Sequence, residues 1–387
     1  MHQKESKMDL RINNTGGNKV NFGYKIAVDI GASVAGGSFK LKLYNKGLII
    51  DEFSKHLSPG GVKSSDEFIH RISDSIKFAQ EMSKNATDRL ADPAARKLEA
   101  IDIFTTGRPE KIDEDNYKIK RIRTIKSLET GKSLENIDFS PLKTRFNTKV
   151  HVFNDMLGAA CAGLNKTKPD GNSTMFITTG GGFGVSHIKK VKLNGENYLQ
   201  ITESRDGRRL IDGQPLEEYG ASVPALIKNF LSKQDVTEQT VQELVNIGDA
   251  RIVLNGNQEL AQKYSLKDLP DATKYALDRY IDAISEGIKL KMPDGLDNVL
   301  MSGKLISGID DFLLKNSQIY NKQYTSLSNE ITARLQTKVN KNKLPHIRIV
   351  NDIKDNSEGA LFLEDKKIIT RMTQERDLPV MSLFVKV

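Results

Sequence analysis

Cysteine is nearly absent: Cys161 is the one thiol in 387 residues. No intrachain disulfide can form, nor any site that needs several thiolates, and the cytoplasm is the natural compartment. Long apolar runs are also missing, and none approaches the ~20 residues that a membrane helix needs. Residues 1–23 are polar, with paired Asn and Gly, and lack the apolar centre of a signal peptide. They read as a flexible N-terminal extension, and no membrane partner is expected.

The residues that are present fit a protein with a proper core. Hydrophobic residues make up 38% and charged residues 28% of the chain, whose length suggests two domains, or one with a large insertion. The formal net charge is +8, and the densest basic run is Lys118 to Lys126. Ile119, Ile122 and Ile125 interleave with its charges, which suits an element with one buried edge. No aromatic platform or nucleic-acid motif accompanies it, so nucleic acid is not the expected partner. A solvated face, or a basic wall attracting a phosphorylated ligand, fits better.

The stretch around which the chain is organised is Val152 to Gly163. Lys149 to Phe153 has the β-branched and aromatic content of a buried strand. Asn154 and Asp155 stop that run and can cap a helix beginning there. Gly158 to Gly163 then gives a helix face of very small side chains, able to approach another backbone closely. A carboxylate where a strand of an α/β sheet ends is well placed for chemistry, although a plain N-cap explains the same residues.

Two glycine-rich turns flank this stretch. Tyr24 to Ile30 reads as a strand carrying Asp29, followed by the small-residue turn Gly31 to Ser38 and strands at 39–44 and 48–53. Such a turn can present N–H groups to phosphate, and Asp29 can hold Mg²⁺ directly or through water. An ordinary hairpin reads the same way, and this turn carries no Walker-type Gly-Lys-Ser/Thr. Thr174 to Ile177 begins a strand that runs into Thr178, Thr179, Gly180, Gly181, Gly182, Phe183 and Gly184, and a second strand comes after them. Two such hairpins suggest a duplicated unit closing on a nucleotide.

Helices are expected at 64–85, with Phe68, Ile72, Ile76 and Phe78 on or near the apolar stripe, at 140–146, 223–231, 238–247 and 259–264, and over 272–290. Residues 110–136 read as charged and irregular, a possible border of a cleft. Strands are expected at 100–104, 198–202, 298–301 and 346–350. A short apolar helix covers 358–363, and a strand-like tail ends the chain.

In this order the motifs resemble the ROK family of sugar kinases, within the sugar kinase/Hsp70/actin superfamily. The family's Asp-x-Gly is matched by Asp29-Ile30-Gly31, and its Asn-Asp and small-residue helix by Asn154-Asp155 and Gly158 to Gly163. Its second phosphate turn is matched by Thr178 to Gly184, and its Leu-Glu-x-Tyr-x-Ser by Leu216 to Tyr219 with Ser222 shifted by one. Ser302-Gly303 is similar to its adenosine Gly-Gly, and Gly359-Ala360-Leu361 to its closing helix. The resemblance spans roughly residues 24–363.

The resemblance implies an α/β protein of two ribonuclease H-like (actin-like ATPase) domains with a cleft between them. It implies residues 24–153 as the first domain, joined by the returning helix 355–363, 154–354 as the second, and 364–387 as a tail. MgATP would phosphorylate a hexose, with Asp155 as general base and Asn154, Glu203 and Glu217 on the sugar. Asp29, Gly31, Ser33, Thr178, Thr179, Gly180, Gly181, Gly182 and Gly303 would serve the nucleotide, with Asp29 at Mg²⁺. A homodimer is the assembly to consider.

The sequence also departs from the family. Thr202-Glu203-Ser204-Arg205 stands where many members have Glu and His, and one cysteine rules out their Cys₃His zinc site. Gly31-Ala32-Ser33 replaces Gly-Gly-Thr. The 23 or so residues before the first strand are too few for the helix-turn-helix of the family's repressors. A non-catalytic sugar- or nucleotide-binding regulator on the same fold is the alternative.

Overall fold

The structure is a computed structural model. It describes residues 23–31, 38–56, 62–90, 93–113, 116–204, 206–254, 257–267, 270–316, 325–339, 344–353, 355–364, 366–375 and 378–387. Ser33 and most of the first glycine-rich turn lie outside the described residues.

The chain begins with strands β1 (Tyr24–Gly31), β2 (Ser38–Asn45) and β3 (Leu48–His56). Helices α1 (Ser65–Met82) and α2 (Lys84–Asp88) follow, then β4 (Leu98–Thr105). A small sheet comes next, of β5 (Pro109–Lys111), β6 (Tyr117–Lys126) and β7 (Ser133–Asp138). Helix α3 (Ser140–Phe146), β8 (Lys149–Asn154) and α4 (Asp155–Thr167) lead to the second half. There β9 (Ser173–Thr179), β10 (Phe183–Leu193) and β11 (Glu196–Ser204) form a meander. The short pair β12 (Leu210–Ile211) and β13 (Gln214–Pro215) precedes α5 (Leu216–Tyr219), α6 (Val223–Leu231), α7 (Glu238–Ile247), α8 (Gln258–Lys263) and α9 (Pro270–Lys289). Then come β14 (Asn298–Ser302), α10 (Lys304–Lys315), α11 (Leu327–Gln336), β15 (His346–Ile349), α12 (Gly359–Leu363), β16 (Ile368–Glu375) and β17 (Leu378–Lys386).

The two main sheets repeat one topology. The first runs β3-β2-β1-β4-β8, and the second contains β11-β10-β9-β14-β15. In each, three antiparallel strands are followed by two parallel ones. The duplicated unit expected from the two glycine-rich hairpins is thus present. The tail adds β17 and β16 beyond β11, so the second sheet has seven strands.

Helix α4 lies between the halves. Every residue from Leu157 to Leu164 is buried. A Cβ at Gly163 would overlap the Phe176 ring of the second sheet, and one at Gly158 would overlap the Phe104 ring of the first. A Cβ at Gly359, the first residue of α12, would run into the Gly158 backbone. The small-residue stripe therefore does what its composition suggests: it lets two helices and two sheets meet at backbone distance. One core joins Phe104, Val152 and Phe153 of the first sheet to Phe176, Ile188 and Ile201 of the second. A separate core packs α6, α9 and α11 on the second sheet's other face.

Two expectations need correction. Residues 110–136 are not irregular: most of them lie in β5, β6 and β7, with Ile119, Ile122 and Ile125 buried, as suits an element with one buried edge. Phe78 is not on the buried stripe of α1. It is 43% exposed and lies edge-on to Phe53, while Phe68, Ile72 and Ile76 are fully buried.

Candidate active site

The C-terminal end of β8 and the start of α4 form the centre. Asn154 is the N-cap, its Oδ1 accepting from Met156 N at 2.9 Å, while its Nδ2 donates to the Gly107 carbonyl at 2.7 Å. The capping explanation thus accounts for Asn154 directly, leaving one amide hydrogen for a ligand. Asp155 is the first helical residue, and its Oδ1 accepts from the Met156 N–H at 2.9 Å. Burial raises its carboxyl to about 6, against the lowering effect of that bond.

The second glycine-rich hairpin lies against this helix start. Thr178 Oγ1 contacts Met156 Sδ at 3.2 Å, and Ser186 Oγ donates to the Met156 carbonyl at 3.0 Å. Thr179 Oγ1 meets the Tyr280 hydroxyl at 2.7 Å. The tip, Gly180 to Gly182, is open: a Cβ on Gly180 or Gly181 would have no neighbour within 4 Å. None of the three glycines has positive φ, so the turn needs glycine for space and not for backbone conformation. Gly303, at the end of β14, does have φ +121° and sits beside the Thr179 backbone.

Glu217, in α5, is half-buried at the same turn. Its Oε2 would be 3.5 Å from a Cβ on Gly182. The candidate sugar ligand therefore adjoins the candidate phosphate turn. Glu203, near the end of β11, is 6% exposed and pairs with Arg108 Nε at 3.4 Å. Arg108 follows Gly107, whose carbonyl holds Asn154. The loop after β4 thus connects Asn154 and Glu203.

Asp29 lies near the end of β1, two residues before Gly31, which pairs with Ser38. It is 4% exposed, and its two oxygens accept from Asn356 N at 3.3 Å and Asn356 Nδ2 at 3.2 Å. Burial, then the Asp355 charge, and to a lesser extent Asp155 push it up to about 6, while Lys40 and the Asn356 bond oppose them. Asn356 is fixed in turn. Buried Lys42 on β2 pairs with Asp355 at 3.0 Å and Glu358 at 3.1 Å, and Lys166 of α4 reaches Glu358 at 3.7 Å.

Sequence reading missed Arg108, Lys42 and Asn356. Arg108 had a signal, lying in Thr106-Gly107-Arg108-Pro109 just after a strand. Lys42 and Asn356 had none, because their partners are more than 300 positions away.

No known protein-family model matches the sequence, and no curated protein matches it. Solved structures do. A ROK family glucokinase from Streptomyces griseus, in complex with glucose and AMPPNP, is 14% identical with a TM-score of 0.53 over 88% of this chain and 97% of that one. A glucokinase from Balamuthia mandrillaris, in complex with glucose, is 13% identical with a TM-score of 0.56 over 88% and 93%. A ROK family transcriptional regulator, described as a homologue of the E. coli MLC protein, is 13% identical with a TM-score of 0.51 over 88% and 78%. The chain has the fold of ROK family proteins: two actin-like ATPase domains with a cleft between them. No described helix is long and apolar enough to cross a membrane.

Proposed function

We propose that the protein is a ROK-type kinase that transfers a phosphoryl group from ATP to a hydroxyl of a hexose or hexose derivative. The observation that carries this reading is Asp155: a carboxylate where β8 ends, raised to about 6, set against the hairpin that bears the open glycine tip. A base with a pKa near neutrality can take the hydroxyl proton as the hydroxyl oxygen attacks the terminal phosphorus. The leaving ADP keeps the electron pair of the broken bond. Little covalent work falls to the protein, so positioning and charge neutralisation supply the rate.

In this reading Asn154, Glu203 and Glu217 hold sugar hydroxyls. Thr178, Thr179, Gly180, Gly181, Gly182 and Gly303 line the nucleotide side, with Gly31. The residues fit Mg²⁺ at Asp29, where the Asp355 and Asp155 carboxylates add negative charge that Lys40 offsets in part. Among the described residues no group of three or more His, Cys, Asp or Glu side chains that could hold a metal ion occurs. Bound there, Mg²⁺ would neutralise charge on the phosphates. The two lobes would comprise 24–153 with 355–363, and 154–354.

An ADP-release assay over a hexose panel tests the reading. Turnover with at least one sugar, removed in Asp155→Asn, is the expected result. Sugar binding without turnover would favour the second reading, a non-catalytic sugar-binding regulator. That reading is supported by the Arg108 ion pair on Glu203, which engages a candidate sugar ligand, and by the fold shared with a transcriptional regulator.

A further inference from the structure

Asp206 is 1% exposed and lies on the short turn after β11, outside the groups assigned above. A histidine, an arginine and a lysine surround it. His187 Nε2 on β10 lies 2.7 Å from Oδ2, Arg209 Nε lies 2.7 Å from Oδ1, and Lys291 Nζ, beyond α9, lies 3.8 Å from Oδ2. Burial would raise this carboxyl, but the His187 bond and the His187 and Lys291 charges hold it far below the usual carboxylate range. It remains an anion in the fold, so the turn carries a fixed charge gripped from three directions.

Each segment around this cluster leads to a candidate site residue. Asp206 N donates to Ser204 Oγ at 3.3 Å, next to Glu203. Gly207 closes on the Phe183 backbone, where a Cβ would come within 2.7 Å of the Phe183 carbonyl, one residue past the glycine tip. The Arg209 carbonyl accepts from Leu216 N at 2.7 Å, and Leu216 is fully buried immediately before Glu217. Ser222 Oγ then donates to the Glu217 carbonyl at 2.6 Å. The loop joining Glu203 to Glu217 has little regular structure of its own, and the described pair β12–β13 is two residues long on each side.

We propose that Asp206 is a positioning residue for sugar recognition. Clamped by His187, Arg209 and Lys291, it fixes Glu203 and Glu217 relative to each other and to the glycine tip. The proposal rests on the sugar-kinase reading and deepens it. It predicts a selective effect: loosening the loop displaces the two glutamates, while the turn's own strands, β9 and β10, keep the nucleotide side in place.

The test compares Asp206→Asn, Asp206→Glu and Arg209→Met with wild type, measuring KM for the preferred hexose and for ATP. Displacing a binding group by a fraction of an ångström to an ångström is expected to raise the hexose KM on the order of 10–10²-fold. The ATP KM should stay within about twofold, and Asp206→Glu, which keeps the charge, should recover part of the loss. Arg209→Met probes the same clamp from its edge and covers the case in which Asp206→Asn fails to fold. Folded variants with a wild-type hexose KM, or with both KM values raised equally, would overturn the positioning role while leaving the kinase reading intact. A wild type that neither phosphorylates nor binds any hexose would remove the kinase reading and this proposal together.

Discussion

Two kinds of carboxylate, buried or half-buried, occur in this molecule, and they behave in opposite ways. Asp206 is met by His187, Arg209 and Lys291, and Asp102 by His151 Nδ1 at 2.7 Å and by the Tyr44 hydroxyl. Both are held below the ordinary carboxylate range although burial pushes them the other way. Asp155 and Asp29 are met mainly by backbone or amide N–H groups, and both rise to about 6. Ion-paired carboxylates organise the fold. Those met mainly by N–H groups are destabilising in their charged form, and such groups suit proton transfer or cation binding. The difference lies in what surrounds the group, since all four are aspartates in or beside strands.

The strongest way to break this comparison is at Asp155. Asp155→Asn is expected to lower kcat on the order of 10²–10⁴-fold while ATP binding persists. In the wild type, kcat should fall as pH drops through about 6, where the carboxyl becomes protonated. A mutant with wild-type kcat would remove Asp155 from the base role.

Next in size is the paired class. Lys42 is 3% exposed between Asp355 and Glu358, so Lys42→Met removes the cation that Asp355 and Glu358 share and leaves the longer Lys166 contact on Glu358. Loss of one partner of a buried pair costs roughly 3–5 kcal/mol, to be read from urea unfolding. A loss well under 1 kcal/mol would place Lys42 with ordinary surface pairs.

Stability against pH separates the classes by sign. A raised folded-state pKa means that ionising Asp155 opposes folding. Its favourable contribution is full below the unfolded value near 3.8 and is lost as pH rises through about 6. Asp155→Asn, neutral at every pH, should therefore be more stable than wild type at pH 8, by up to about 3 kcal/mol. Asp206→Asn should be less stable there. Equal shifts of one sign in the two mutants would erase the distinction.

Smaller effects test the two ligand sides. Gly181→Val has open space in the protein, so unfolding should be unchanged while ATP affinity falls about tenfold or more, by calorimetry. Glu217→Gln should raise the hexose KM by the equivalent of about 1–3 kcal/mol. Because Glu217 adjoins Gly182, a parallel rise in the ATP KM would move it to the nucleotide side.

Local chemistry made much of this legible. Helices α6 and α7 begin where Ser222 and Thr237 accept from Ala225 N and Thr240 N, a capping pattern visible in the chain. The strand-to-helix step at Asn154-Asp155 and the two glycine-rich hairpins were equally plain. The β6 strand was obscured because its buried Ile residues recur every third position among Lys and Arg, not every second, and its pairing with β7 shifts between Ile122 and Lys126. Long-range matches were invisible. Asp29 and Asn356, or Lys42 and Glu358, meet across most of the chain, and no local pattern announces such a partner.

The bond between Lys42 and Glu358 spans 316 positions, and the order of synthesis gives that span a consequence. The first sheet emerges from the ribosome early, with its Lys42 ammonium facing an interior that has no counter-charge yet. Asp355 and Glu358 arrive only after the β9–β15 strands of the second sheet have been made. The first half must therefore wait in an unfinished form, with Lys42 hydrated and the face that receives α12 open. A late segment of the polypeptide locks the earliest strands, and a nascent chain stopped before residue 355 would lack its latch.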